Sequence, residues 1–88
     1  MHPVIQAMIN QKMNQVTGKE LFEQAMRFNI PVSRTQSERI ANRVRGKNID
    51  LFHPDGQTKL RAILIDELGQ DAASALDQKF KEMLAKYQ

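Results

Sequence analysis

This 88-residue chain reads as an all-α fold of about five short helices in one domain, residues 1–88. Three observations predict that class. No stretch alternates apolar and polar side chains over strand length, and valine, isoleucine, threonine and the aromatics do not cluster. Two capping boxes, Thr17 with Glu20 and Ser33 with Gln36, announce helix starts. Gly18, Gly46, Gly56 and Gly69 all fall at or beside the boundaries of segments with helical spacing, so they read as punctuation.

The first helix is expected from Pro3, a favoured first helical position, to about Gln15. Val4, Ile5, Met8, Ile9 and Met13 share one wide side, with Lys12 in its middle. Either Lys12 lays its stem on apolar surface with its ammonium in water, or this helix packs against a partner as well as its own core. The second helix opens at Thr17-Gly18-Lys19-Glu20, with Val16 and Leu21 as a hydrophobic staple. Leu21, Phe22, Ala25 and Met26 form its apolar side. Asn29 suits a left-handed stop, and Pro31 prevents continuation.

Ser33 with Gln36 starts a third helix, Arg34 to Arg45, closed by Gly46. Residues 17–46 thus make a helix–extended loop–helix unit, an arrangement seen in SAP- and LEM-like modules. That analogy is one of fold and assigns no activity. Residues 47–53 form a connector whose Ile49, Leu51 and Phe52 should enter the core, since leaving each in water costs about 1.5–3 kcal/mol. The fourth helix runs from Pro54 to Leu68, capped by His53 or Asp55. Leu60, Ile63, Leu64 and Leu68 form its stripe; Ile65 lies off the stripe and Glu67 lies within it. A fifth helix, about Ala72 to Tyr87 with Asp71 as its cap, carries Ala72, Ala73, Leu76, Phe80, Met83, Leu84 and Tyr87 on one amphipathic face. It should pack across the bundle.

Composition excludes several function classes. There is no cysteine, which removes disulfides, thiolate metal sites and cysteine nucleophiles. The longest apolar run is Ala62-Ile63-Leu64-Ile65, far short of the about 20 residues of a membrane span, so a cytoplasmic protein is expected. Of the two histidines, His2 is at the start of the chain and His53 adjoins a turn proline; neither belongs to a metal-spaced motif. The cluster Asp50-Leu51-Phe52-His53-Pro54-Asp55-Gly56 offers two carboxylates and an imidazole, but it matches no calcium-loop spacing. A capping turn accounts for it with less. Ser33 serves as a cap, and Ser37 and Ser74 have no histidine placed to activate them. The expectation is a protein without catalytic, cofactor-binding or metal-ligating residues.

The net charge of +3 is concentrated. Residues 27–47 hold six basic residues and one acid, whereas residues 48–88 hold five basic and seven acidic ones. On a helical wheel Ile40, Val44, Ser37 and Ala41 face the core. Arg34 and Arg45 fall beside Glu38, and Arg39 and Arg43 lie on the other flank, extended by Lys47. Arg39 and Arg43 are four apart and repel unless an acid or anion neutralises them. That acid could be internal (Asp66, Glu67 or Asp77), or the charge could be met from outside by phosphate or an acidic protein. The outermost positions hold Thr35 and Asn42, which argues against a base-reading helix-turn-helix. The expected role is a non-enzymatic protein-interaction module. The alternative is a weak nucleic-acid binder using Arg39, Arg43, Arg45 and Lys47 on the basic helix 34–47. Ile65 and the wide face of the first helix leave a monomer or a weak homodimer open.

A family likeness follows from particular residues. Asn10-Gln11, Asn14, Thr17, Glu20-Leu21, Ile30, Val32-Ser33, Gln36 and above all Arg45-Gly46-Lys47-Asn48-Ile49-Asp50-Leu51-Phe52 resemble the YqfT-like small proteins of Bacillus-type bacteria, grouped as a domain of unknown function. The resemblance implies a bacterial cytosolic protein of about this length, and it brings no activity, cofactor or functional residue with it. The His53-Pro54-Asp55-Gly56 turn departs from that pattern.

Overall fold

Five helices form where the capping and breaking residues allow them. In the computed structural model, which describes residues 3–87, α1 spans Pro3–Asn14, α2 Gly18–Arg27, α3 Arg34–Val44, α4 Pro54–Leu68 and α5 Gln70–Leu84, followed by a 3-10 turn at Ala85–Tyr87. His2 lies outside the described residues. Among those described there is no strand, and no helix is long and apolar enough to cross a membrane.

Both capping boxes close. The Thr17 hydroxyl accepts from the Glu20 amide at 3.2 Å while the Glu20 carboxylate accepts from the Thr17 amide; Ser33 and Gln36 repeat the exchange at 3.0 and 2.9 Å. The end of α2 is a Schellman stop: Asn29 takes φ 57°, the Ile30 amide donates to the Ala25 carbonyl at 2.9 Å, and the Asn29 amide donates to Met26. Ile30 is thereby turned into the core. His53, not Asp55, caps α4, its Nδ1 accepting from the Asp55 amide at 3.2 Å.

α5 begins earlier than expected. Gly69 alone separates α4 from α5, with φ 83°, and its carbonyl accepts from the Ala73 amide. Asp71 therefore does not cap this helix; it sits in the first turn, where the helix dipole favours an acid.

One continuous core joins α2, α3, the connector, α4 and α5. It contains Leu21, Ala25, Ile40, Val44, Ile49, Leu51, Leu60, Leu64, Leu76 and Phe80 among others. The expected core face of α3 (Ser37, Ile40, Ala41, Val44) is buried throughout, and the Ser37 hydroxyl is satisfied by the Ser33 carbonyl at 3.0 Å. Ile65 and Phe52 pack on the core as half-buried side chains, so Ile65 is no outlying patch. Met26 and Met83, expected inside, are exposed. The α2–α3 unit predicted over 17–46 is present, and its helices approach closely because Gly18 has no side chain: a Cβ there would come within 2.9 Å of the Glu38 Cα. Gly18 and Gly56 are thus contact glycines, whereas Gly46 (φ 77°) and Gly69 are the true breakers. The Cα radius of gyration is 12.0 Å. A compact chain of this length should have about 12 Å, so α1 is folded against the rest.

Candidate interaction surfaces

α1 is fastened by its polar side. Its residues Gln6, Asn10 and Asn14 are spaced four apart and form one stripe. Asn14 reads both backbone groups of Ile49, its Oδ1 accepting from the Ile49 amide and its Nδ2 donating to the Ile49 carbonyl, each at 2.9 Å. Asn10 accepts from the Leu51 amide at 2.8 Å and donates to the Asp50 carboxylate at 2.9 Å. Gln6 donates to the Tyr87 carbonyl. These bonds answer a backbone problem: the buried connector would otherwise leave the Ile49 and Leu51 amides without partners. Asp50 also accepts from the Phe52 amide at 2.9 Å. The Asn10 amide first, then the Phe52 amide, hold its carboxyl below the ordinary value of 3.8. The Asp50 carboxylate, part of the cluster weighed from sequence against a metal site, is therefore spent on the connector. Among the described residues no three histidine, aspartate or glutamate side chains converge as a metal site would require.

The consequence is that α1 is amphipathic in the inverse sense. Val4 and Met8 stand two residues before Gln6 and Asn10, about 160° round the helix from them. With the polar stripe facing inward, Val4 is 72 % exposed, Met8 64 % and Ile5 40 %. No residue of α1 is fully buried; Ile9 and Met13 only half enter the core. Lys12 borders the apolar groove formed by α1, α2 and α5 with its ammonium in solvent. Its side chain is 81 % exposed and reaches Glu20 at 3.8 Å. The Glu20 carboxyl is lowered, by the Thr17 backbone hydrogen bond first, then the Thr17 hydroxyl, with Lys12 a smaller cause.

Beside this face runs an apolar groove of about 290 Å³. Its walls are Ile9 and Met13 of α1, Leu21 of α2, and Phe80, Met83 and Leu84 of α5; Lys12, Glu20 and Gln24 also border it. Met83 on its lip is 43 % exposed.

The basic helix divides into spent and unspent charges. Arg43 forks onto α4, with Nη2 at 3.1 Å from Asp66 and Nη1 at 3.2 Å from Glu67. Asp66 first, then Glu67, raise its pKa above the usual guanidinium value. This explains the acid found within the α4 stripe: the Glu67 side chain is largely covered and its charge is matched. Asp77, the third internal acid considered, is used elsewhere; it is buried and held by Arg61 and Lys81, each at 3.3 Å. Arg45 donates to the Asn42 side chain, and Arg34 lies 5.1 Å from the centre of the Phe22 ring. Arg39 and Lys47 have no acid within ion-pair distance among the described residues. Lys47 borders a shallow recess between α3 and α4 together with Arg43 and Lys59. Of the four basic residues singled out from sequence, Arg43 and Lys47 thus border one recess, and Arg43 and Arg45 are already engaged by internal partners.

The Asn10 and Asn14 clamp was not legible as a site, although both residues and the Ile49–Phe52 stretch they hold are among those that carry the family likeness. A signal was available in the need of a buried, irregular connector for backbone partners.

Comparison with known proteins agrees with that likeness. No solved structure matches. An "Uncharacterized protein YqfT" of Bacillus subtilis (strain 168) is 25% identical over 79 residues, covering 90% of this chain and 94% of that protein. A family model described as "Protein of unknown function (DUF2624)" matches residues 1–88, and the chain belongs to that family.

Proposed function

We propose that this is a non-enzymatic, cytoplasmic protein-interaction module that engages its partner through the outward face of α1 and the adjoining groove. The observation that carries the reading is the inverted helix. A surface helix ordinarily gives its apolar stripe to its own core, whereas α1 is held by Gln6, Asn10 and Asn14 and leaves Val4, Ile5 and Met8 in solvent. Contiguous apolar exposure of this kind is characteristic of contact surfaces, and methionine-lined surfaces adapt readily to a docking helix.

The second reading, a phosphate-contacting nucleic-acid binder, draws on Arg39, Lys47 and Lys59, which have no acid partner among the described residues. It is the weaker one because Arg43 and Arg45 already have internal partners.

The test is paired affinity capture from a Bacillus subtilis lysate with the wild-type chain and Met8→Glu, alongside a salt titration against labelled DNA and RNA. A protein retained by wild type and reduced at least tenfold with Met8→Glu supports the module. Identical captured sets refute it. Nucleic-acid affinity that falls steeply with salt would favour the second reading.

A further inference from the structure

We infer that the recess between α3 and α4 binds a small organic phosphate, a phosphate group carried on an apolar body. The recess lies apart from the α1 face, so it stands independently of the protein-interaction reading. Three basic side chains border it, Arg43 from α3, Lys47 from the connector and Lys59 from α4, and its lining includes no acid. Lys47 and Lys59 have no acid within ion-pair distance among the described residues.

Local structure positions these cations. Arg45 (φ −59°, ψ 131°) and Gly46 (φ 77°) form a type II turn that ends α3, closed by the Lys47 amide donating to the Val44 carbonyl at 3.2 Å. Two residues on, Asn14 binds both backbone groups of Ile49. The backbone at Lys47 is thus held between two fixed points beside α4. On α4, Lys59, Ala62 and Ile63 follow the i, i+3, i+4 spacing of one helix face, which brings an ammonium and apolar surface to the same recess. The fork of Arg43 onto Asp66 and Glu67 takes one N–H from each terminal nitrogen, so the guanidinium is oriented and keeps further donors.

Charge, donors and floor select the ligand together. Against the two carboxylates that grip Arg43, the three cations leave a net charge of +1, and the unmatched charge rides on the lysines. The rim consists of donors. Besides the ammoniums and the guanidinium it includes Asn42, whose Oδ1 is taken by Arg45 and whose Nδ2 remains to donate. A phosphate group, all acceptor and negatively charged, complements such a rim. The floor is different in kind: Ile49 and Ile63 make it apolar, so an inorganic ion would leave it uncovered. The volume, about 590 Å³, falls inside the roughly 300–1,000 Å³ of small-molecule sites. A single-stranded polynucleotide is tracked by cations along a groove, whereas these surround one recess, and Arg34 and Arg45 are turned to Phe22 and Asn42.

Amide NMR titrations of the full chain with phenyl phosphate, inorganic phosphate, phenol and an oligothymidylate test this. Phenyl phosphate should shift the Lys47, Ile49, Lys59 and Ile63 amides saturably, with a Kd below about 1 mM that rises with salt. It should bind at least about threefold tighter than inorganic phosphate, and phenol should not bind. Lys47→Gln and Lys59→Gln should each weaken it at least about fivefold. Both lysines are exposed, so these variants should keep the wild-type circular dichroism and melting temperature, and Met8→Glu should bind as wild type does. No saturable shift up to about 10 mM phenyl phosphate overturns the site, as does binding indifferent to either lysine variant. Equal affinity for inorganic phosphate overturns the organic body, and equal affinity for phenol overturns the phosphate. Oligothymidylate bound in preference to phenyl phosphate overturns the small ligand and assigns the lysines to the nucleic-acid reading. The lysate capture is independent: Met8-dependent retention of a protein would stand whether or not phenyl phosphate binds.

Discussion

Gly56→Ala opposes two effects of known sign. Gly56 is the third residue of α4, and by helix propensity alone alanine there should gain about 1 kcal/mol. The packing says otherwise. Gly56 is buried, and a Cβ on it would overlap the Asp50 carbonyl and come within 2.8 Å of the Asp50 nitrogen. Asp50 cannot retreat cheaply. Its carboxylate is bound by Asn10 and the Phe52 amide, and the neighbouring Ile49 and Leu51 amides are bound by Asn14 and Asn10. Overpacking typically costs about 1–3 kcal/mol, and backbone pinned on both sides places this site at or above the upper end. The net loss should be about 2 kcal/mol. At 4–8 °C per kcal/mol for a domain of this size, the melting temperature should drop by roughly 8–16 °C. Thermal melts by circular dichroism measure it, with Thr58→Ala, exposed on the same helix, as the control that shows propensity alone. A Gly56→Ala chain that melts at or above the wild-type temperature would refute the close approach of connector and helix.

Two further outcomes follow from the α1 clamp. Asn14→Asp retains an acceptor for the Ile49 amide but sets a second acceptor against the Ile49 carbonyl, so urea unfolding should show a loss of about 2–3 kcal/mol; a loss under 0.5 kcal/mol would mean the bidentate contact does not form. The second concerns acid: the folded Asp50 carboxyl lies below its ordinary value, so its stabilising effect is complete above the usual carboxylate range and disappears as pH falls through the depressed value. Melting temperature should therefore decline below about pH 4, less steeply in Asp50→Asn, with Glu20 supplying part of the remaining slope; parallel acid limbs for the two chains would exclude Asp50 as a contributor.

What was legible in the sequence is what local chemistry determines. Thr17, Glu20, Ser33, Gln36 and Asn29 fix helix ends by bonds that span three to five residues, and the stop at Asn29 follows from a single left-handed residue. The buried face of α3 was legible for a related reason, because four small or branched side chains recur at helical spacing among charges. Glycine roles were not. Gly46 and Gly56 look alike in a linear reading, yet one relieves a positive φ and the other admits a backbone from six residues upstream. Asp77 failed similarly. It falls among Ala73, Leu76 and Phe80 on the buried face, and its partners Arg61 and Lys81 become evident only when α4 and α5 lie together. For the basic helix the sequence posed the right alternatives, and only distances could assign Asp66 and Glu67 to Arg43.

α1 shows why a hydrophobic arc alone misleads. Its Val4, Ile5, Met8, Ile9 and Met13 arc resembles that of a helix docking on its own core, and its asparagines resemble solvated filler. The connector reverses those roles. It must cross the domain with Ile49 and Leu51 buried and without a helical ladder to satisfy their amides, so something must supply donors and acceptors to the backbone. Asn10 and Asn14 do so, which fixes the rotation of α1 about its axis, and that rotation carries Val4 and Met8 to the outside. Backbone hydrogen bonding on one face of α1 thus determines that the apolar surface lies on the other. Weakening the clamp should consequently disturb both stability and interaction, whereas Met8→Glu should disturb interaction alone. That separation is the physical content of treating α1 as a contact helix and not as a poorly packed core helix.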